Sequence, residues 1–375
     1  MTARHEIWLT NDRGVRLVLL DNVEQFNWNR VVNGIGRCSV VLPDGFDRGL
    51  IGIDYRIEIW RAAEEGLPLA LENSFMIRRP HTETNTATTT KIDLNGVGGN
   101  DLLKRRVVAW VAGSAEARKT DFIDDMMKDI VRENLGALAG NDPDGNSRSF
   151  DAAFFSVDPD TGLGPSITKS FSWRNVLDVL QDLSEAAREA GDQVYFAVEP
   201  ANVTDYIFKT YINQLGQDRR FPGGFNPITF SVEDGNIEFP SLDEDYDEEL
   251  NYVYGAGQGE GAGRNIQTAF DLAAMNRSIW GRREGFRDSR QEDTDAGVTA
   301  EAQAKLSEGR PKRRFSAELT SIAGSRYGLD WGFGDRVTVT YADRQFDAMI
   351  WSVSISVDED GLETVIGRVE VEDVA

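Results

Sequence analysis

Cysteine and histidine are nearly missing from this chain. Its 375 residues include one cysteine, Cys38, and two histidines, His5 and His81. A single thiol excludes an internal disulfide framework and any cysteine-built zinc site. Two imidazoles leave almost no material for His-dependent metal centres or Ser-His-Asp triads. Long apolar runs are absent as well: nothing approaches the roughly 18 residues a membrane-spanning helix needs. Glu6, Asn11, Asp12 and Arg13 break up the first twenty residues, where a secretory h-region would lie, so synthesis in the cytosol without export is expected. Positive charge is in short supply, with 40 Lys and Arg against 63 Asp and Glu and a net charge of −23. That balance argues against a nucleic-acid grip, which rests on clustered bases. What remains is ordinary for a protein with a core, 40% hydrophobic and 27% charged, and the length predicts two or three domains.

The first 105 or so residues alternate apolar and polar positions between short turns. Glu6 to Thr10 and Val15 to Leu20 flank Asn11-Asp12-Arg13-Gly14, which predicts a hairpin. Further strands are expected at Arg37 to Leu42, Tyr55 to Trp60, Phe75 to Ile77 and up to Leu94. Period-two alternation implies one buried and one wet face, as in an antiparallel barrel or sandwich. After Trp110 the pattern becomes helical. Thr120 is the expected cap of a helix with Phe122, Met126, Ile130 and Val131 inward and Gly136 at its end. A second helix is expected from Ser172, with Trp173, Val176, Leu177, Leu180, Leu183 and Ala187 on one face and Gly191 closing it. Two strands follow, near Val194 to Val198 and Tyr206 to Tyr211. Beyond 212 the chain returns to strand and loop. A third helix is expected over Thr299 to Glu308, capped by Thr299 and using Ala300, Ala304 and Leu306. Four strands close the chain: Phe315 to Leu319, Arg336 to Tyr341, Gln345 to Val357 and Leu362 to Val371. The two β regions share an order, with Gly52 and Asp54 leading into Ile57-Glu58-Ile59 as Gly334 and Asp335 lead into Val337-Thr338-Val339. Two copies of one barrel-like unit would account for this.

Few motifs carry chemistry. Gly257 begins a Gly-x-Gly-x-x-Ala match, but no amphipathic helix follows it directly and Glu260 would repel a phosphate, so a turned loop is expected. The acidic run Asp243 to Glu249 lacks the spacing and turn glycine of a calcium loop and reads as a solvated face. Among 63 acids no catalytic carboxylate pair stands out. Cys38 keeps step with Val40 and Leu42 and reads as a small buried hydrophobe; His5 and His81 read as surface residues. The one basic island runs through Arg277, Arg282, Arg283, Arg287 and Arg290 with Trp280 and Phe286 interleaved. In so acidic a chain it suits a protein contact or internal pairing better than nucleic acid. No catalytic residue, cofactor or metal ligand is expected. The alternatives are a carbohydrate- or receptor-binding module using Trp60, Trp110 and Trp351 as platforms, or a cell-wall glycan hydrolase with paired acids.

Several stretches resemble the hub proteins of long non-contractile phage tails, the Gp37-like siphovirus family, related in fold to contractile-tail hubs. They are Leu20-Asp21-Asn22-Val23, Phe26 to Arg30 and Gly34 to Pro43 near the start; Asn251 to Gly255 with Gly257 to Gly261 and Arg264; Gly281 to Glu284 with Arg287 to Arg290; and Tyr327 to Val339. The resemblance implies an α+β, mainly β chain with two tube-forming antiparallel β-barrel domains, an intervening mixed α/β domain and an insertion in the second barrel. Here these would be 1–109, 110–211, 212–256 with 312–375, and 257–311. It further implies a homotrimeric, pseudo-sixfold ring that continues the tail tube between the distal tail protein and tip or fibre proteins. The tape-measure protein would be a further partner, DNA would pass in transit, and there would be no membrane insertion. The chain would be assembled in the host cytoplasm and reside in the virion. Candidate assembly contacts are Trp28, Arg30, Arg282, Arg283, Arg287 and Arg290. Three chains of −23 would give an acidic lumen that repels passing phosphate. The end at Ala375, just after the last strand, is expected to leave out the peptidase or wall-lytic extensions of some relatives.

Overall fold

A computed structural model describes residues 3–85, 89–109, 117–171, 173–290 and 292–371. The chain divides into two compact units, one formed by Met1–Pro240 with Ala317–Glu370 and the other by Ser241–Ser316.

In the first unit, seven strands come from the alternating N-terminal region: β1 (Arg4–Thr10), β2 (Arg16–Leu19), β3 (Gln25–Val31), β4 (Arg37–Leu42), β5 (Arg56–Ala62), β6 (Ala70–Asn85) and β7 (Thr89–Val97). After a short α1 (Asp101–Lys104), a mixed module contains β8 (Ala117–Phe122), α2 (Ile123–Asn134), β9 (Phe155–Val157), β10 (Ser166–Phe171), α3 (Val176–Glu189), β11 (Val194–Pro200) and β12 (Tyr206–Ile212). Then come β13 (Thr229–Ser231) and β14 (Ile237–Asp245). The second unit holds β15 (Tyr252–Ala256), β16 (Ile266–Phe270), α4 (Leu272–Met275), β17 (Glu284–Asp288) and α5 (Asp295–Glu308). The chain ends on β18 (Lys312–Thr320), β19 (Arg336–Tyr341), β20 (Arg344–Val357) and β21 (Glu363–Val371).

The two expected barrels do not form. Strands from both ends of the chain join one open 13-stranded sheet in the order β14-β18-β21-β20-β3-β4-β7-β6-β5-β1-β2, with β19 on β20 and β13 on β19. The path ends on β2 and β14 without closing. The join is made by β20. Its first half pairs with β19, from Arg344↔Tyr341 to Met349↔Arg336, and its second half pairs with β3, from Ser352↔Val31 to Val357↔Phe26. The hydrogen-bonding edge of β3 that ring closure would have used is thereby taken by a strand 320 residues away. Period-two alternation specifies which face is buried but not which strand lies next door, which is why the sequence pattern suited closed cylinders equally well. The inward positions are occupied as the alternation requires: Phe26, Trp28, Cys38, Val40 and Leu42 are buried. Gly96 stands opposite Cys38, where an added Cβ would lie 2.7 Å from the sulfur. Burial pushes the Cys38 thiol far above its ordinary pKa.

The parallel between the two β regions has a physical basis at two acids. Asp54, at a positive φ of 63°, accepts from Arg78 and Arg105 at 2.9 Å each, ahead of β5. Asp335, buried ahead of β19, accepts from the Gly332 and Gln217 amides and from Arg219 at 2.6–2.7 Å. Each carboxylate fixes the turn that launches its strand.

The mixed module is built on two amphipathic helices. Val176, Leu177, Leu180, Leu183 and Ala187 of α3 are all buried against Ile123, Met126, Ile130 and Val131 of α2 and Phe196 and Phe208 of the β9-β12-β11 sheet. Each such side chain contributes roughly 1.5–3 kcal/mol. The helix starts differ from expectation. Thr120 lies in β8, not at a cap, and Phe122 is exposed. Helix α3 begins at Val176, capped by the Asn175 side chain on the Leu177 amide at 3.0 Å, and Trp173 lies outside it at positive φ; Ser172 lies outside the described residues. Apolar spacing located both helices, whereas capping is decided by which side chain reaches a free amide. The start of α2 carries a buried charge cluster. Lys128 Nζ lies 3.1 Å from Asp124 and from Thr161, and Asp124 also accepts from the Leu163 amide at 2.8 Å. No helix among the described residues is long and apolar enough to cross a membrane.

Candidate assembly surfaces

Trp28 and Arg30 share one face of β3 but do different work. Trp28 is 1% exposed, sits opposite Cys38 and Ile355, and its indole N–H has no partner. It is core, and its bulk fixes the strand that presents Arg30. At the end of β3 the same face opens on a cleft of about 240 Å³ lined by Arg30, Asn33, Glu72, Asn100, Glu199 and Phe333. The Arg30 guanidinium lies 4.3 Å over the Phe333 ring and 3.9 Å from Glu199. Glu199 in turn accepts from the Tyr211 hydroxyl at 2.9 Å. Burial, reinforced by the Glu199 charge, raises the Tyr211 phenol above its ordinary pKa. The cleft floor is stitched by Asn100, which donates to Gly34 O at 2.8 Å and accepts from the Val198 amide at 2.7 Å.

The other four candidates lie in the second unit, on a three-stranded sheet ordered β16-β15-β17. Helix α5 covers one side through Val253, Ala269, Ala302 and Leu306. Its cap is Thr294, not Thr299, and Val298, Ala302 and Leu306 face inward while Ala300 and Ala304 are exposed. The Gly257 match serves this packing: a Cβ there would stand 2.4 Å from Val298 Cγ2. The uncovered side is aromatic. Tyr252 stacks on Phe270 with centroids 5.7 Å apart and lies 4.9 Å from Tyr254. Arg282 sits 3.9 Å over Tyr252, bonds Glu284 at 2.6 Å and donates to the Tyr254 hydroxyl at 3.1 Å. Arg283 donates to the carbonyls of Tyr246 and Asp247, Arg287 pairs with Glu301 at 2.9 Å, and Arg290 pairs with Asp288 at 3.2 Å. The arginine island is therefore locally neutralised, and its stems and planes cover aromatic surface. Tyr252, Tyr254 and Phe270 were missed from sequence. Their signal was the alternation in Tyr252-Val253-Tyr254, legible only once β16 is laid beside β15.

His81 is exposed, as read, but His5 is largely buried, with Nε2 2.8 Å from Glu363. Glu363 takes a bidentate grip from Arg61 at 2.9 and 2.8 Å, and so links β1 and β5 to β21. Trp60 donates to Glu58 at 3.0 Å and lies beneath Arg16, which also covers Trp8, leaving it a poor sugar platform. Trp351 packs against Val32, Tyr195 and Met349, and Trp110 lies outside the described residues. Among the described residues no three His, Cys, Asp or Glu are grouped to hold a metal ion.

An open sheet joining strands from both chain ends, a mixed module and a smaller compact unit make up an architecture already known. Solved structures share it from end to end. A tail protein from Neisseria meningitidis aligns with a TM-score of 0.56 at 11% identity, covering 100% of this chain and 98% of its own. The prophage MuSo2 tail protein from Shewanella oneidensis aligns at 0.57 and 11%, covering 97% of each. The prophage tail protein gp18 from Listeria monocytogenes aligns at 0.54 and 11%, covering 99% and 95%. No curated protein sequence matches. The family is settled by sequence: residues 69–368 match the siphovirus ReqiPepy6 Gp37-like proteins, and the chain belongs to that family.

Proposed function

We propose that this chain is a structural hub of a phage tail tip, residing in the virion and performing no chemical step. Three copies form a ring that continues the tail tube, seats against the distal tail protein above, holds tip or fibre proteins below, and lets the tape-measure protein and DNA pass. The family match over residues 69–368 carries this reading. Residues 1–109 and, from the later part of the chain, 212–240 with 317–371 are the tube-building segments, 110–211 the lateral module, and the compact unit Ser241–Ser316 the insertion. Arg30 and the exposed faces of Arg282, Arg283, Arg287 and Arg290 are the contacts proposed for assembly, with Trp28 supporting Arg30 from the core. A net charge of −23 per chain suits a lumen that DNA must cross without sticking. Sedimentation of the purified chain, with cryo-EM class averages, tests the proposal. A three-fold ring with an axial opening is the expected result; a monomer at every concentration overturns it.

A further inference from the structure

The cleft at the end of β3 holds a charged group whose donors are unfilled. Among the described residues the Arg30 guanidinium makes no hydrogen bond: it lies 4.3 Å over the Phe333 ring, and Glu199 Oε1 stands 3.9 Å away. Stacking fixes the plane of the fork, and the side chain is only 28% exposed. Glu72 and Glu199 are the other charged residues lining the cleft. Glu199 meets the Tyr211 hydroxyl at 2.9 Å and Lys209 at 3.8 Å through Oε2, which leaves Oε1 on the side of Arg30. Glu72 accepts from the Tyr327 hydroxyl through Oε1. Burial raises both phenols above their ordinary pKa, so each stays protonated and keeps its carboxylate in place. The neighbouring amides are already engaged. Asn33 bonds Ser184 Oγ, Val194 O and the Phe196 amide, and Asn100 bonds Gly34 O and the Val198 amide.

A half-buried guanidinium that no protein group satisfies draws its acceptors from solution. The signs of the lining charges select among them. A simple anion on the fork would also meet Glu72 and Glu199, and a simple cation beside those carboxylates would meet Arg30; each contact between like charges is unfavourable. A molecule carrying both signs close together meets an opposite charge at each end. Its carboxylate can take two parallel hydrogen bonds from the guanidinium, the geometry in which arginine binds carboxylates best. Volume sets the size. The cleft holds about 240 Å³, below the roughly 300–1,000 Å³ of pockets that enclose drug-sized ligands, so it suits a small metabolite. We infer that this cleft is a binding site for a zwitterion of the α-amino-acid class, its carboxylate on Arg30 and its ammonium on Glu72 and Glu199. The inference goes beyond the hub reading and is tested without it.

The test uses the full chain at neutral pH. Glycine, L-alanine, L-serine and L-leucine are titrated by calorimetry and by saturation-transfer NMR, beside propionate and ethylamine, which each keep one charge of alanine, and D-glucose, which has none. At least one amino acid should bind with one site per chain, and alanine should bind at least about tenfold tighter than propionate or ethylamine. Arg30→Met and Glu199→Gln should each weaken amino-acid binding by at least about tenfold, with melting curves close to that of the native protein. The comparison of alanine with its one-charge analogues needs no variant, so it stands even if a substitution unsettles the fold. The site is refuted if no amino acid binds at concentrations up to about 10 mM, if a one-charge analogue or glucose binds as tightly as the best amino acid, or if binding survives both substitutions.

Discussion

Replacing Arg61 should cost more stability than any surface arginine, because the side chain closes the first unit on itself. Arg61 and Glu363 are 4% and 14% exposed, meet through two hydrogen bonds, and join strands 302 positions apart in sequence. Arg61 also donates to Tyr327 O at 3.3 Å and lies 4.9 Å from the Tyr327 ring. Arg61→Met leaves a largely buried carboxylate with the His5 imidazole as its remaining close partner, a loss of about 3–5 kcal/mol. For a chain this large that lowers the melting temperature by about 4–6 °C. The paired change Arg61→Met with Glu363→Leu removes both charges and should recover most of the loss. Acid gives an independent reading. Burial pushes the Glu363 carboxyl up, but the hydrogen bonds from Arg61 and His5 dominate and hold it at about 2, against an ordinary 4.5. A depressed carboxylate stabilises the fold fully above 4.5 and loses that contribution as pH falls through 2, in all about 3 kcal/mol. Native protein and Glu363→Gln should therefore melt furthest apart at neutral pH and converge toward pH 2–3. Melts followed by near-ultraviolet circular dichroism across that range decide it. The reasoning is falsified if Arg61→Met costs under about 1 kcal/mol, or if the two curves stay parallel down to pH 2.

Three further outcomes follow from packing and charge. Lys128→Ala, which strands the buried Asp124, should cost about 3–5 kcal/mol in chemical denaturation; burial raises the Asp124 pKa, but Thr161 and Lys128 hold it low, so native stability at this site also falls as the solution is acidified below the ordinary carboxylate range. Gly257→Ala should destabilise the second unit by about 1–3 kcal/mol, since its Cβ meets both Val298 Cγ2 at 2.4 Å and Glu292 O at 2.8 Å; limited proteolysis near residue 257 reports the change. Cys38 should resist a thiol reagent until the protein unfolds, so that labelling follows the denaturation curve.

Much of the secondary structure was legible because burial imposes a period. The α3 stripe from Val176 to Ala187 and the inward set Cys38, Val40 and Leu42 could be read directly. Strand partners could not, since β20 would satisfy its alternation against β19 or β3 alike and uses both. Caps slipped by a few residues where two hydroxyls or amides competed, as with Thr294 and Thr299. The arginine island was visible as a run of letters. Its aromatic bed was not, because Tyr252 and Phe270 lie 18 positions apart and meet only through sheet pairing. His5 looked peripheral near the N-terminus, while its partner Glu363 sits at the other end of the chain.

The pairing of β3 with β20 places a constraint on the order of events during synthesis. When β3 leaves the ribosome, the strand that completes its edge is still more than 300 codons from translation. At roughly 5–20 residues per second the wait is on the order of 15–60 s, during which the nascent sheet carries an open flank able to recruit a neighbouring chain on the same polysome. A host holdase that shields residues 25–31 over that interval would raise the yield of correctly knit subunits.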